Sequence, residues 1–282
     1  MKYGIVVDSG CDLTHLGHPT LINKFDFTRV PLKLDIGETE FIDDFNLDIE
    51  KFMAEMYAYE GKTGSAAPSP QTWLSAYEKS EYVFAVTITS GLSGSYNSAQ
   101  IAADLFKARY PERKIYVIDS KSAGPEITLI VRKLTEYINA SMSFDEIVEN
   151  IENYRQNTHL LFVLQSLDNF IKNGRISKLQ GTMAGILGIK ILGTTTEEGT
   201  LDLLQKCRGK MTAYDKAIEE LFARGFNGER LIIAHCFAPE LANYIAQKVQ
   251  LAFPTSEIEI MPTSGLCSYY AERKGILIGF ES

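Results

Sequence analysis

Short, continuous runs of apolar residues in the first half of the chain constrain its fold more than any other feature. Three of them, at residues 3–7 (YGIVV), 83–89 (VFAVTIT) and 115–118 (IYVI), are bounded by Ser, Gly and Asp, and helical patterns lie near each of them. A strand that is apolar on both faces needs cover on both faces, which is typical of a parallel sheet with helices on either side. We therefore predict an α/β protein whose first domain is a three-layer α/β/α unit with a mainly parallel sheet.

The length and a change in composition predict a second domain. A chain of 282 residues is long for one compact domain and natural for two. The sequence turns polar at residues 155–158 (RQNT) before a new apolar run begins. We place the boundary there, which gives an N-terminal domain of residues 1–157 and a C-terminal domain of residues 158–282.

The second domain is expected to be a three-layer α/β/α unit with a mixed sheet. Its strands and helices alternate, but the apolar runs at residues 189–195 and 201–206 are joined by the short turn of a hairpin. Two smaller features complete the fold prediction. One is an antiparallel β excursion at about residues 25–45, and the other is a helix rich in small residues after Arg175.

Composition and charge argue against several classes of function. The chain has 28 basic and 36 acidic residues and a net charge of −8, so it lacks the basic footprint of a nucleic-acid or anionic-membrane binder. No apolar run approaches the roughly 20 residues of a membrane-spanning helix, and the four cysteines form no CxxC pair. We expect a cytoplasmic protein with reduced thiols, no integral membrane association and no bound metal.

The strongest chemical signal is the loop that follows residues 83–89. Its sequence, SGLSGSYNSA, contains Ser93 and Gly94 and leads directly into a helical pattern. Free N–H groups at a helix start bind anions, and hydroxyls add donors, so the loop is a candidate carboxylate or phosphate site at the carboxyl edge of the sheet. The lysine of a P-loop, the GxGxxG fingerprint and the GxSxG elbow are absent from it. Helix capping by Ser93 or Ser95 explains the same residues equally well.

Further candidate ligands each have a structural alternative. Thr63 and Ser65 precede a helix and are candidates to share the same anion, although a turn and cap is the simpler interpretation of these two alone. Arg175 follows a glycine turn and pairs either with a bound anion or with a carboxylate across the domain interface, of which the second is commoner. Asp8 and Asp119 end strands at the same edge, where turn capping is favoured over metal binding.

The order of these motifs resembles the DegV family, whose members include the fatty-acid-binding subunits of bacterial fatty acid kinase. The matching segments span essentially the whole chain: VVDSGCDL, APSPQTWLSAYE, ITSGLSGSYNSA, VIDSKSAG, LDNFIKNGRISKLQG and GILIGF. The resemblance implies a two-domain α/β protein, itself not an enzyme, that buries the acyl chain of one long-chain fatty acid and uses no cofactor. It also implies an ATP-dependent fatty acid kinase subunit as partner, which converts the presented carboxylate into an acyl phosphate.

The resemblance also assigns roles to particular residues. Ser93 would bind the carboxylate, Ser65 stands where the family has a threonine, and Arg175 matches the arginine of a Gly-Arg-Ile-Ser motif at the domain interface. Many members have a histidine near the C-terminus that reaches the carboxylate, and the corresponding region here contains none. The candidates for its replacement are Thr263, Ser264, Ser268 and Tyr270.

Two other functions remain open from the sequence alone. One is a serine-dependent hydrolase or transferase, in which Ser93 acts with His235 or Asp119 nearby in space. The other is a binder of a different anionic lipid or small carboxylate, which the missing histidine favours. For any acyl ligand, hydrophobic burial has to dominate, because the surface of the protein is acidic and each buried methylene contributes about 0.8 kcal/mol.

Overall fold

The computed structural model describes residues 2–14, 25–176 and 188–282. The strands of these residues are, in chain order, β1 (Tyr3–Asp8), β2 (Phe25–Val30), β3 (Lys33–Ile36), β4 (Thr39–Ile42), β5 (Thr63–Ala66), β6 (Tyr82–Thr87), β7 (Lys114–Asp119), β8 (Thr158–Leu164), β9 (Ile189–Thr195), β10 (Leu201–Arg208), β11 (Arg230–His235), β12 (Glu257–Pro262) and β13 (Ile276–Glu281). The helices are α1 (Ile49–Ala58), α2 (Pro70–Tyr77), α3 (Ser95–Arg109), α4 (Pro125–Asn139), α5 (Phe144–Arg155), α6 (Asp168–Lys172), α7 (Thr212–Ala223), α8 (Pro239–Ala252) and α9 (Gly265–Ala271).

The first sheet is parallel and contains the continuous apolar runs of the first half. Its strand order is β2-β1-β6-β7, and each neighbouring pair is parallel. Helices α2 and α3 cover one face, where Trp73 and Phe106 are fully buried. Helices α4 and α5 cover the other face with Ile127 and Ile147. The predicted α/β unit with a parallel sheet is confirmed.

The second sheet is mixed, as predicted. Its strand order is β10-β9-β8-β13-β11-β12. The β11–β12 pair is parallel and the other pairs are antiparallel. The predicted hairpin joins β9 and β10 through a turn in which Gly199 takes a positive φ of 77°, a conformation that glycine adopts without strain. Helices α7 and α8 cover one face of this sheet.

One helix serves both sheets. Helix α4 packs against β1 and β6 of the first sheet and against β8, β11 and β13 of the second. Its side chains Ile127, Leu129, Ile130 and Val131 are all fully buried, because the helix is apolar on more than one side. The sequence analysis did not predict this helix. A single hydrophobic cluster consequently runs from the first sheet into the second.

The core therefore crosses the predicted domain boundary. The boundary between residues 157 and 158 falls in the turn between α5 and β8. Residues from both sides, such as Ile5 and Leu277, belong to the same buried cluster. The division into domains of residues 1–157 and 158–282 stays a prediction.

The predicted antiparallel excursion at residues 25–45 is wrong in its first part. Strand β2 joins the parallel sheet beside β1, with Phe25 opposite Tyr3. Its alternating pattern arises because an edge strand is only partly covered, and most of its residues are half-buried. Strands β3 and β4 do form an antiparallel hairpin, which β5 extends to a small sheet of order β4-β3-β5. The predicted helix of small residues after Arg175 falls on residues that are not described.

Candidate functional site

A cavity lies between the two sheets, beside the residues that lead into α4. It holds about 840 Å³ of empty space, including the space open to solvent at its mouth. Much of its lining is hydrocarbon, from side chains such as Leu32, Ile88, Leu160, Phe162, Leu266 and Leu277. Its polar lining comes from Ser65, Thr89, Ser93, Ser122, Arg175, Thr195 and Tyr270.

Strand β8 forms an apolar wall of the cavity. Leu160, Phe162 and Leu164 line the cavity, whereas Leu161 and Val163 belong to the cluster under α7 and α8. Alternate residues of a strand point to opposite faces. The run of β8 is apolar throughout because one face of the strand lines the cavity and the other packs under α7 and α8.

The loop after β6 is held at the sheet edge by one buried carboxylate. The two Asp8 carboxylate oxygens accept the backbone N–H of Ile88 at 3.1 and 2.9 Å, and Oδ2 accepts the Ser95 hydroxyl at 2.6 Å. Burial raises the pKa of Asp8 to about 6, although its hydrogen bonds oppose the rise. Asp8 Oδ1 also accepts the Gly10 N–H at 3.0 Å. Asp8 therefore caps the turn that follows it, which is the role favoured for it from the sequence, and ties this turn to the first residue of α3.

The Ser93 hydroxyl accepts a hydrogen bond at the start of α3 and still has its own proton to donate. Its Oγ accepts the backbone N–H of Ser95 at 3.2 Å, so the capping interpretation describes half of what this hydroxyl does. Ser93 also lines the cavity, and its proton has no acceptor in the described ranges. Gly94 lines the cavity as well, is exposed, and adds no side chain that would block a ligand. Together these residues are arranged to donate to an anion at the rim of the cavity.

Tyr270 supplies the hydroxyl partner of Ser65. The two oxygens lie 2.8 Å apart, and both residues line the cavity. The Tyr270 ring packs on Phe170 with a centroid distance of 4.5 Å. Burial raises the pKa of the Tyr270 phenol, so the hydroxyl stays protonated near neutral pH. One hydroxyl of the pair donates to the other, and the second keeps a proton for a ligand.

Arg175 brings a positive charge to the same rim. Its Nε donates to the Leu92 carbonyl at 2.8 Å and its Nη1 donates to the Asn173 carbonyl at 2.6 Å. It lines the cavity, and it forms no ion pair with a carboxylate of the described residues. The backbone therefore fixes the guanidinium while its remaining N–H groups stay available to an anion.

The other predicted site residues are buried and lie outside the cavity lining. The Thr63 hydroxyl bonds the Tyr269 hydroxyl at 2.8 Å. Thr263 and Ser268 bond each other at 2.7 Å, and Ser264 donates its hydroxyl to a buried aspartate at 2.9 Å. Because these hydroxyls are committed to partners within the protein, they support the fold around α9 and do not face the cavity.

Helix α9, which carries Tyr270, is fixed by a buried carboxylate. Asp43 accepts the backbone N–H groups of Gly265 and Leu266 at 3.0 and 2.8 Å. It also pairs at 3.2 Å with Arg29, and both side chains are buried. Burial raises the pKa of Asp43, and the Arg29 charge opposes this. The sequence analysis missed Asp43, because no local pattern links it to a helix more than two hundred residues away.

Among the described residues, the cavity offers Ser93 no base. Its lining, as far as the structure describes it, includes no histidine and no carboxylate. Asp119 accepts the N–H groups of Ser90 and Lys121 and pairs with the Lys121 ammonium at 2.8 Å. His235 lies outside the lining, and burial lowers its pKa. Within residues 2–14, 25–176 and 188–282, no group of three potential metal ligands occurs either. The geometry gives no support to Ser93 as a nucleophile.

Comparison with known sequences identifies the family. The sequence profile of the DegV family, described as "Uncharacterised protein, DegV family", matches residues 2–281. The chain belongs to the DegV family. It is similar to a DegV domain-containing protein of Streptococcus pneumoniae strain R6, with 44% identity over 281 residues, 100% of this chain and 99% of that protein.

Two similar solved structures contain fatty acids. The Streptococcus pneumoniae Fatty Acid Kinase (Fak) B3 protein loaded with linoleic acid is 44% identical, with a TM-score of 0.96 over 100% of this chain and 99% of that one. A DegV family protein from Eubacterium eligens loaded with heptadecanoic acid is 37% identical, with a TM-score of 0.93 over 99% of both chains. In the described part of this protein, no helix has the length and hydrophobicity needed to cross a membrane.

Proposed function

We propose that this protein binds one long-chain fatty acid, with the acyl chain in the cavity and the carboxylate at a rim formed by Ser65, Ser93, Arg175 and Tyr270. The observation that carries this proposal is the composition of the cavity. Hydrocarbon lines its wall, whereas hydroxyl groups and one guanidinium that lacks a described acidic partner lie at its rim. The fatty acids in the two similar structures support this class of ligand.

Burial of the acyl chain accounts for the affinity. Each methylene moved from water into the cavity contributes about 0.8 kcal/mol, so a long chain supplies roughly 10 kcal/mol before the cost of ordering it. A carboxylate without donors would be expensive to remove from water. Two hydroxyl protons and one guanidinium satisfy this need, because hydrogen bonds to a charged acceptor are stronger than neutral ones.

We further propose that the bound carboxylate is presented to an ATP-dependent fatty acid kinase subunit, and that this protein is not itself the enzyme. Gly91 and Gly94 are exposed beside Ser93, so little side-chain cover stands over this part of the rim. In the reaction a carboxylate oxygen attacks the γ-phosphorus of ATP, the bond to the bridging oxygen breaks and ADP leaves, which yields an acyl phosphate. The name of the S. pneumoniae relative, which places it in a fatty acid kinase, supports this partner.

Extraction of the purified protein with organic solvent, followed by mass spectrometry, tests the ligand. We expect a long-chain fatty acid in about equimolar amount, either carried through purification or taken up on incubation. A protein that neither carries nor takes up any fatty acid contradicts the proposal.

Reconstitution tests the partner. Acyl phosphate, trapped with hydroxylamine, is expected only when this protein, a fatty acid, ATP and a fatty acid kinase subunit are all present. Hydrolysis of acyl esters by this protein alone would instead favour the serine-dependent hydrolase.

A further inference from the structure

A second cavity lies against the far side of the acyl cavity wall. It holds about 960 Å³ of empty space, including the space open to solvent. Most of its lining residues are polar, among them Lys121, Glu126, Arg155 and Thr158. Leu160 and Thr195 line both cavities, so these two side chains form a wall between a hydrocarbon space and a polar one.

Leu160 marks the change from apolar to polar lining between the two cavities. Leu160 is 2% exposed, and it is the only hydrocarbon side chain among the described residues that line the polar cavity. The apolar lining of β8 thus ends at Leu160, four residues before Leu164 in the chain. At about 3.3 Å per residue this strand face is about 13 Å long.

The wall is also held in place by its neighbours. The Thr194 hydroxyl donates to the Leu160 carbonyl at 2.7 Å, which ties β8 to β9. On the other side Leu160 pairs with Gly279 of β13. A Cβ at Gly279 would lie 2.8 Å from the backbone of Pro125 and Glu126, so the first turn of α4 closes directly behind this point. Little room remains for Leu160 to move aside.

We propose that Leu160, together with Thr195, is the end wall that sets the longest acyl chain the cavity accepts. This inference rests on the proposed function. Each methylene that stays on the apolar side strengthens binding about fourfold. A methylene beyond the wall must displace Leu160 and then enters a more polar space, where it gains less apolar contact than in the first cavity. Affinity is therefore expected to rise with chain length up to a limit and then to fall.

Dissociation constants for a series of saturated fatty acids that differ by two carbons test this wall. In Leu160→Ala the limit moves up by at least two carbons, and the first chain that the wild type rejects binds at least tenfold more tightly. Leu161→Ala is the matched control, because Leu161 is the adjacent, fully buried leucine and faces α7 and α8 instead. It should lower stability in the same way while leaving the chain-length limit where it is in the wild type.

Leu160→Phe gives a test of opposite sign. The larger side chain should move the limit down by at least two carbons, and it keeps the inference testable if the alanine variant fails to fold. An unchanged limit in the folded Leu160 variants, with all proteins still binding fatty acids, would overturn the wall and leave the proposed function intact. Failure of every protein to bind any fatty acid would instead count against the proposed function.

Discussion

The hydroxyl oxygens of Ser65 and Tyr270 lie 2.8 Å apart, although 205 residues separate them in the chain. Ser65 belongs to β5 of the small sheet, and Tyr270 belongs to α9, whose start Asp43 holds. The polar rim of the cavity is therefore assembled from segments that only the complete fold brings together. A second hydroxyl pair, Thr63 with Tyr269, runs beside it at the same 2.8 Å but does not line the cavity.

These parallel pairs allow a controlled test of the rim. Tyr270→Phe removes one hydroxyl of the pair that faces the cavity, and we predict that it weakens fatty acid binding about tenfold, which corresponds to one hydrogen bond to a charged acceptor. Thr63→Val removes one hydroxyl of the matched pair that faces the protein interior. Tyr269 stays in place because it also accepts from Asn173, whose carbonyl holds Arg175. The Thr63 variant should lower the free energy of unfolding by about 1–3 kcal/mol and leave affinity unchanged. Isothermal titration calorimetry measures the affinity of both variants, and urea unfolding measures their stability. Equal losses of affinity would contradict the assignment of the Tyr270 hydroxyl to the ligand.

Ser93→Ala separates ligand binding from helix capping. We predict about a tenfold loss in the rate at which a partner kinase forms acyl phosphate, because the variant lacks the hydroxyl proton at the rim. The free energy of unfolding should fall by only about 1 kcal/mol, the usual worth of a cap. Ser69→Ala is the control, since Ser69 caps α2 by accepting the Thr72 N–H at 3.2 Å and does not line the cavity. A Ser93 variant that behaves like the Ser69 variant in both measurements would show a purely structural serine.

Arg175→Met tests the positive charge at the rim. Hydrogen bonds to a charged group contribute about 1.5–3 kcal/mol, so the variant should bind a fatty acid at least tenfold more weakly. The fatty alcohol of the same chain length carries no charge and should bind both proteins with similar affinity. Lys172→Met, which removes an exposed charge nearby, should leave the affinity for both ligands unchanged. Equal weakening for acid and alcohol in Arg175→Met would mean that the arginine acts only through the fold.

Glu126 makes the stability of the protein depend on pH. Its Oε1 accepts the Thr158 hydroxyl at 2.8 Å, and burial raises its pKa from the ordinary 4.5 to about 7. The folded state therefore holds this proton more tightly than the unfolded state. The stability that Glu126 contributes is present below about pH 4.5 and is lost as pH rises towards 7, with a total of roughly 3 kcal/mol.

We predict that Glu126→Gln removes most of this decline. The free energy of unfolding in urea, compared at about pH 5 and pH 8, should fall by roughly 2 kcal/mol more in the wild type than in the variant. Glu240→Gln, an exposed change in the first turn of α8, should keep the wild-type dependence. A Glu126 variant with the same pH dependence as the wild type would show that this carboxyl is already ionised in the folded protein at low pH.

Local patterns were enough to predict the parallel strands β1, β6 and β7, the mixed character of the second sheet and the loop that carries Ser93. The conformations of these strands, of the hairpin between β9 and β10 and of the serine loop are set by residues close together in sequence. Local patterns can therefore reveal them. Ser65, Ser93, Gly94 and Arg175, which the sequence proposed as ligands, all line one cavity.

The remaining features depend on contacts that no local pattern reveals. Helix α4 contacts both sheets, and every residue from 125 to 131 is buried. Its first half therefore lacks the polar face by which a surface helix is recognised. Tyr270 lines the cavity, whereas Thr263, Ser264 and Ser268 do not. The orientation of α9, whose first residues donate hydrogen bonds to Asp43, directs Tyr270 towards the cavity. The cavity wall at Leu160 could not be predicted, since an apolar strand residue looks the same whether it faces a helix or a ligand.

Native mass spectrometry of the delipidated protein, mixed with a small excess of one long-chain fatty acid, tests the central claim most directly. The account predicts a single added mass equal to one fatty acid per chain, retained by the wild type and diminished in Tyr270→Phe and Arg175→Met. A folded wild-type protein that shows no added mass, or that adds several molecules without saturation, would contradict it.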